Sequence, residues 1–320
     1  MSNPASAKVT VDILLATYNG GRYLEQQLES VLRQSHTGWR LLIRDDGSAD
    51  ETAAILQKYK KKYKNKIKIF AANKLKPDLK KNFSFLLQQA AAPYVMFCDQ
   101  DDVWYRGKIA VTLNKIKRLE KKYGSGTPVL VHTDLEVVDA ALHTVNRSFV
   151  HYQKLDYTKT ALNYLLMQNN VTGCTVMINK ALRKKAAPIP QGALMHDHWL
   201  ALAAVLLGRI AFVNRATVNY RQHNANIIGA KRGRDFIGYF FSGSGFSFRQ
   251  RIKKNISAAV LQAGALFRCY QKHLNEEQYC LLKSFLMMKQ TGFFRKRYLF
   301  IKHRFFLQHP LRTLVYFLFM

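Results

Sequence analysis

Tyr94-Val95-Met96-Phe97-Cys98-Asp99-Gln100-Asp101-Asp102-Val103-Trp104 carries the deciding pattern of this chain. An apolar, strand-like run ends in three carboxylates within four positions and closes on a tryptophan. Carboxylates crowded at the end of a strand repel one another unless a cation sits among them. Hard oxygen ligands of this kind suit Mg²⁺ or Mn²⁺, usually bound by one or two carboxylates plus substrate phosphates. The stretch therefore predicts a metal–nucleotide site.

Upstream, strand-like and helix-like runs alternate. Val9 to Ala16 reads as a strand ending at Thr17-Tyr18-Asn19-Gly20-Gly21, and Leu24, Leu28, Val31 and Leu32 mark one face of a helix. Arg40 to Arg44 is the next strand, stopping at Asp45-Asp46-Gly47-Ser48. Asp50 and Glu51 then fall in the first turn of a helix, where the helix dipole favours acids. Ile67 to Phe70 and Tyr94 to Cys98 continue the series, with a helix over Phe83 to Ala91 between them. This order predicts an α/β fold, a mainly parallel Rossmann-like sheet with helices on both faces. Ligands bind at the carboxyl ends of strands in such sheets, and Thr17-Tyr18-Asn19, Asp45-Asp46 and Asp99 to Asp102 all fall there.

The middle is less regular. Val129 to His132, Thr172 to Ile178 and Thr217 to Tyr220 read as strands, and His196 to Leu207 as a helix. From about Lys231 the chain turns to basic, aromatic helical segments. The expected division is a catalytic domain over 1–230 and a helical C-terminal region over 231–320, with the boundary between Gly229 and Gly238.

Composition bounds the function. Hydrophobic residues make up 48%, which suits a globular chain, and Lys+Arg outnumber Asp+Glu by 50 to 20. A net charge of +30 calls for an anionic partner: nucleic acid, a membrane surface or phosphorylated substrates. Lys58 to Lys68 looks like the solvated face of a surface helix, because Tyr59, Tyr63 and Ile67 keep near-helical spacing; nucleic acid is not expected as a partner. Cys98, Cys174, Cys269 and Cys280 form no metal-ligand spacing and fit a reducing cytosol. Met1 to Lys8 lacks the apolar core of a signal peptide, and no apolar run approaches the ~20 residues needed to span a bilayer. A cytoplasmic protein is expected.

Four motifs in order, Ala16-Thr17-Tyr18-Asn19-Gly20, Asp45-Asp46-Gly47-Ser48, Asp99-Gln100-Asp101-Asp102 and His196-Asp197-His198-Trp199, resemble glycosyltransferase family 2 with the GT-A fold over roughly Val9 to Gly229. The ending Tyr220-Arg221-Gln222-His223-Asn224-Ala225-Asn226 and the Val103-Trp104 pair look most like bacterial rhamnosyltransferases of surface-polysaccharide synthesis. The resemblance implies a nucleotide site at Thr17, Tyr18 and Asn19, with Asp45 or Asp46 on the base; the plain alternative there is a turn with a helix N-cap at Ser48. It implies Asp101 as metal ligand, Asp99 nearer the ribose, His223 as a third ligand and Asp197 as general base. His196 and His198 either tune that base or pack. Asp102, Trp104, Arg221, Asp134 and Gly173 are expected around the diphosphate, donor sugar or acceptor. The implied reaction is inverting transfer of a sugar from a nucleotide-sugar donor, dTDP-L-rhamnose or a UDP-hexose, onto a polyprenyl-diphosphate-linked oligosaccharide.

The C-terminal run Phe293 to Phe306 interleaves cations with aromatics, and Leu314 to Met320 is almost wholly apolar. This suits a helix in the interface of an anionic membrane, peripheral on the cytoplasmic face. Packing on the catalytic domain, or on a second subunit in a homodimer, is the competing expectation. A nucleotidyltransferase also uses carboxylate-bound Mg²⁺, but Thr17 to Arg22 matches its phosphate loop poorly. A non-catalytic basic binding protein leaves the joint carboxylate motifs without a purpose.

Overall fold

The apolar runs fold into interior strands. The computed structural model describes residues 10–71, 77–223 and 245–320. Its first half is β1 (Val11–Thr17), α1 (Gly21–Leu32), β2 (Trp39–Asp45), α2 (Thr52–Lys62), β3 (Ile67–Phe70), α3 (Leu79–Gln89) and β4 (Tyr94–Cys98). The strands lie in the order β3-β2-β1-β4, all parallel. Every residue of β1 and β4 is buried, as expected for parallel strands covered on both faces. Alternation along β1 feeds two cores: Leu14 and Ala16 face one, Ile13 and Leu15 the other.

The second half comprises β5 (Val103–Trp104), α4 (Lys108–Tyr123), β6 (Val129–Val138), β7 (Thr144–Asn146), α5 (Phe149–Gln153), α6 (Leu162–Met167), β8 (Met177–Asn179), α7 (Lys180–Ala186), α8 (His196–Leu207) and β9 (Arg209–Arg221). It extends the sheet from β4 through β8, β6 and β9 to β5. Here the sheet becomes mixed: β8 runs antiparallel to β4 and β6, while β6 and β9 are parallel. The result is a GT-A architecture.

Three local expectations change. Thr172 to Ile178 is not one strand: Gly173–Thr175 forms a 3-10 turn, with Thr175 Oγ1 donating to Thr172 O at 2.6 Å, and only Met177–Asn179 pairs in the sheet. The strand expected at Thr217 to Tyr220 begins at Arg209, because pairing with β6 holds a half-exposed segment that carries no clean alternation. Helix α2 starts at Thr52, so Asp50 and Glu51 precede its first turn. Asp50 instead accepts from Thr52 N (3.0 Å) and Gly21 N (2.9 Å), tying the starts of α1 and α2 together.

The C-terminal residues form α9 (Gly245–Tyr270), α10 (Glu276–Met287), α11 (Phe293–Lys302) and α12 (Pro310–Phe319). The boundary expected between 229 and 238 lies outside the described residues. Ile252, Ala263, Leu266, Phe285 and Phe305 share one apolar core with Phe83, Phe97 and Trp199. The Trp199 and Tyr270 rings stack at 5.8 Å. No helix among the described residues is long and apolar enough to cross a membrane.

Phe285 is fully buried and meets Phe305 edge-on at 4.9 Å. Phe285→Ala should cost about 3–5 kcal/mol, the usual price of emptying a phenylalanine site. Urea unfolding followed by circular dichroism should still give one transition, shifted as a whole, because the core is shared; two transitions would mean that the helices fold apart from the sheet.

Candidate active site

The carboxyl ends of β1, β2 and β4 bring three loops into one edge. Gln100 joins two of them: its Oε1 accepts from Thr17 Oγ1 (2.6 Å) and Tyr18 N (2.8 Å), and its Nε2 donates to Tyr18 O (3.1 Å). Asn19 takes a positive φ of 48° and joins the third, accepting from Ala49 N at 2.9 Å while its own N–H donates to Ser48 Oγ. Asp45 is half-buried and accepts from Ser48 N and Oγ. Ser48 therefore closes this loop and caps no helix. Asp46 accepts from Asp78 N at 3.1 Å, and burial raises its pKa.

Asp99 and Asp101 follow β4, both half-buried. Asp101 Oδ2 lies 2.9 Å from His223 Nε2, so the Asp99 to Asp102 motif meets the closing motif. The pKa of Asp99 is raised by burial first, then by the neighbouring charges of Asp101 and Asp197. Asp102 points inward and is fully buried, accepting from Arg221 N at 3.2 Å, and burial raises its pKa too. Behind the acids, Lys108 is completely buried, donating to Cys174 O at 2.8 Å beside the Trp104 ring; burial lowers its pKa to about 8. Two half-buried carboxylates match the hard-oxygen donor chemistry of Mg²⁺ or Mn²⁺, and the imidazole beside them is a donor better suited to a transition-metal ion than to Mg²⁺. Asp99, Asp102 and Cys174 also bring ligand atoms within 4.8 Å of one another. That second grouping fits a hard cation poorly, since burial keeps the Cys174 thiol protonated.

Asp197 stands in the first turn of α8. Its carboxylate accepts from Gly173 N (3.1 Å) and His198 N (2.6 Å), with Asn169 as a further side-chain partner. Burial outweighs these bonds and pushes its pKa up to about 6. The flanking histidines pack. His196 lies between Phe83 and Phe97, with ring centroids 4.2 and 5.0 Å away, and burial lowers its pKa to about 3. His198 Nε2 contacts Leu165 O at 2.6 Å and its Nδ1 meets Gln262 Nε2 at 3.1 Å, linking α8 to α6 and α9.

A family model described as "Glycosyl transferase family 2" matches residues 12–184. The chain belongs to glycosyl transferase family 2. The dTDP-rhamnosyl transferase RfbG of Shigella flexneri is 27% identical over 68% of this chain and 74% of its own. The putative teichuronic acid biosynthesis glycosyltransferase TuaG of Bacillus subtilis is 28% identical over 70% and 83%. In Escherichia coli, the UDP-Glc:alpha-D-GlcNAc-diphosphoundecaprenol beta-1,3-glucosyltransferase WfgD is 24% identical over 54% and 61%. The match spans 64% of the length of an uncharacterized glycosyltransferase of Rickettsia typhi. Among solved structures, S. aureus TarS 1-349 in complex with UDP-GlcNAc superposes with a TM-score of 0.53 at 17% identity, covering 92% of this chain and 91% of its own. The mannosyltransferase PcManGT of Pyrobaculum calidifontis with GDP-Man and Mn²⁺ gives 0.54 at 11% identity, covering 93% and 74%.

Within this family 2 chain, several expected ligand contacts turn inward. Asp102 and Trp104 are buried beneath the site. Asp134 is committed to Leu135 N (2.8 Å) and Ser148 Oγ (2.5 Å). Arg221 spends its fork on Asp101 O (2.8 Å), Ala140 O and Gln26 Oε1. All four are buried, and the bonds of Asp134 and Arg221 run to the protein itself, which supports a role in building the wall of the cleft. Gly173, read within a strand, lies in the 3-10 turn and meets Asp197 through its backbone N–H. Gln100 and Lys108 were missed: Gln100 stood as a spacer between acids, whereas the helical spacing of Lys108 with Ile109, Thr112 and Ile116 signalled a buried lysine.

A Cβ on Gly173 would lie 2.6 Å from His196 Nε2, a ring that its aromatic neighbours hold in place. Gly173→Ala should therefore displace Asp197 and lower kcat/KM about a hundredfold, with nucleotide binding by calorimetry unchanged. A cation must displace the proton that burial favours on Asp99. The rise in Tm on adding Mn²⁺ should accordingly grow between about pH 5.5 and pH 8; a pH-independent rise would put the ion elsewhere.

Proposed function

We propose that this chain catalyses inverting, metal-dependent transfer of a sugar from a nucleotide-sugar donor, dTDP-L-rhamnose, to a lipid-linked oligosaccharide in bacterial surface-polysaccharide synthesis. The observation that carries the reading is the convergence of Asp99 and Asp101 at the end of β4 with Asp197 at the start of α8, near enough for Asp197 to raise the pKa of Asp99. The rhamnosyl donor is supported by the likeness to RfbG and by the closing motif. The acceptor class is supported by WfgD, whose name carries a diphosphoundecaprenol acceptor, and the polysaccharide setting by TuaG.

Thr17, Tyr18 and Asn19 would line the nucleotide, with Asp45 or Asp46 accepting the imide N–H of the base and Asp99 the ribose hydroxyls. Asp99, Asp101 and His223 would hold Mg²⁺ or Mn²⁺, which supplies Lewis-acid stabilisation of the departing diphosphate. The Asp197 carboxylate, steadied by two backbone N–H groups, takes the proton of an acceptor hydroxyl. That oxygen bonds to the anomeric carbon from the face opposite the diphosphate, whose C–O bond breaks with its electron pair. Several cations and apolar side chains exposed on α11 and α12 support peripheral attachment at the inner face of the cell membrane.

Binding of dTDP-rhamnose and UDP-hexoses, with Mn²⁺ and with chelator, tests the donor site. Metal-dependent binding of dTDP-rhamnose, lost in Asp101→Ala, is expected; preference for a UDP-hexose would keep the mechanism and replace the donor. Asp197→Asn preserves shape but not basicity, so kcat/KM should fall about 10²–10⁴-fold with donor binding retained. In the wild type, only the ionised form of Asp197 acts as base. With its pKa near 6, and with Mn²⁺ saturating at every pH, kcat/KM should rise with pH, reach half its plateau near pH 6, and fall about tenfold per unit below that. A flat profile from pH 5 to 8 would remove Asp197 from the role.

A further inference from the structure

Helices α11 and α12 bury one face and leave the other apolar. Leu299, Phe300 and Val315 are inside, whereas Phe294 is 83%, Ile301 55% and Leu314 53% exposed. Between them opens a groove of about 370 Å³, lined mainly by Tyr164, Phe300, Ile301, Leu307, Leu314 and Phe317. This is within the usual range of ligand pockets, about 300–1,000 Å³. The helices that form it carry charge of one sign: no Asp or Glu follows Glu277, while Arg295, Lys296, Arg297, Lys302, Arg304 and Arg312 do; the acid near the wall, Asp156, is paired with Lys159 at 3.7 Å. Lys159 stands on the wall of the groove, donating to Gln308 O at 2.9 Å.

The groove shares a segment with the general base. Asn170 Nδ2 donates to Asp156 O (3.0 Å) and Lys159 O (3.2 Å), and the adjoining Asn169 partners Asp197. Gln168 Oε1 accepts from Gln308 N at 3.0 Å. Helix α6 carries both Tyr164 on the groove and Leu165, whose carbonyl meets His198. An occupant of this groove is thus held by the segment that positions Asp197.

We propose that the groove seats the isoprenoid chain of a polyprenyl phosphate-linked acceptor, with the surrounding cations facing its phosphate. The inference rests on the glycosyltransferase reading, which requires the sugar of a membrane-bound lipid to reach Asp197. A long apolar chain joined to an anionic head matches an apolar slot within a wholly cationic segment. A bilayer phospholipid shares the charge, but has no sugar to present to the base.

The test uses the full chain and phosphatidylcholine nanodiscs carrying either undecaprenyl phosphate or an equal charge of phosphatidylglycerol. Wild type should bind the undecaprenyl phosphate discs about tenfold more tightly. Ile301→Asn with Leu314→Asn, both at exposed positions, should abolish that preference. Phe294→Asn, whose side chain does not line the groove, should weaken both kinds of disc alike and keep the preference. Equal binding of wild type to the two discs, or an intact preference in the double variant, would overturn the proposal. Nucleotide-sugar binding measured on the same preparations separates the two readings: its absence from the wild type counts against the glycosyltransferase, whatever the discs report.

Discussion

Crowding of negative charge at the end of β4 is the constraint around which this molecule is arranged. Asp99, Asp101 and Asp102 leave one strand, and Asp197 approaches from α8 closely enough to raise the pKa of Asp99. Two like charges 4 Å apart repel by roughly 4 kcal/mol at an effective dielectric of 20. The buried ammonium of Lys108, its own charge weakened by burial, and the guanidinium of Arg221 are too few to offset four carboxylates. Protonation is one way out: burial first and neighbouring acids second raise the pKa values of Asp99 and Asp102, while burial raises that of Asp197. A divalent cation is the other, and it leaves the acids ionised for chemistry.

The surrounding fold limits how far those groups can move. Arg221 closes the site from β9 by binding the backbone of Asp101 and the side chain of Asp102, and His223 meets Asp101 directly. Gln100 braces the β1 loop against the acids. Among the described residues Asp197 has backbone donors rather than a cationic partner, so its charge is tolerated without being neutralised. An ammonium or guanidinium there would lower its pKa and weaken it as a base.

The convergence of the proposed donor residues was legible because it is set locally. Thr17, Asp45 and Asp99 sit at or beside strand ends that the alternating pattern identified, and a parallel sheet brings such ends together. The acceptor side depends on contacts that spacing does not encode. Gly173 was read within a strand, yet its turn exists to lay an N–H against Asp197. Asp102 and Asp134 looked like ligands because a carboxylate in a motif signals chemistry, whereas only the fold shows which carboxylates face inward. For His198 the sequence left tuning and packing open. Its partners, 33 and 64 residues away, decide for packing.

This difference separates the control of the two substrates. The groups proposed to face the donor are fixed by one continuous sheet edge built within the first 104 residues, with β9 as the closing clamp. Asp197, the proposed base, is fixed by α8, and α8 is held through His198 by α6 and by Gln262 of α9. The segment 156–170 that steadies Asn169 is tied in turn to Gln308, between α11 and α12. A change in the C-terminal helices can therefore reach Asp197 without passing through Asp99 and Asp101. On the proposed reading, donor chemistry and acceptor placement share one cleft but hang from different parts of the chain.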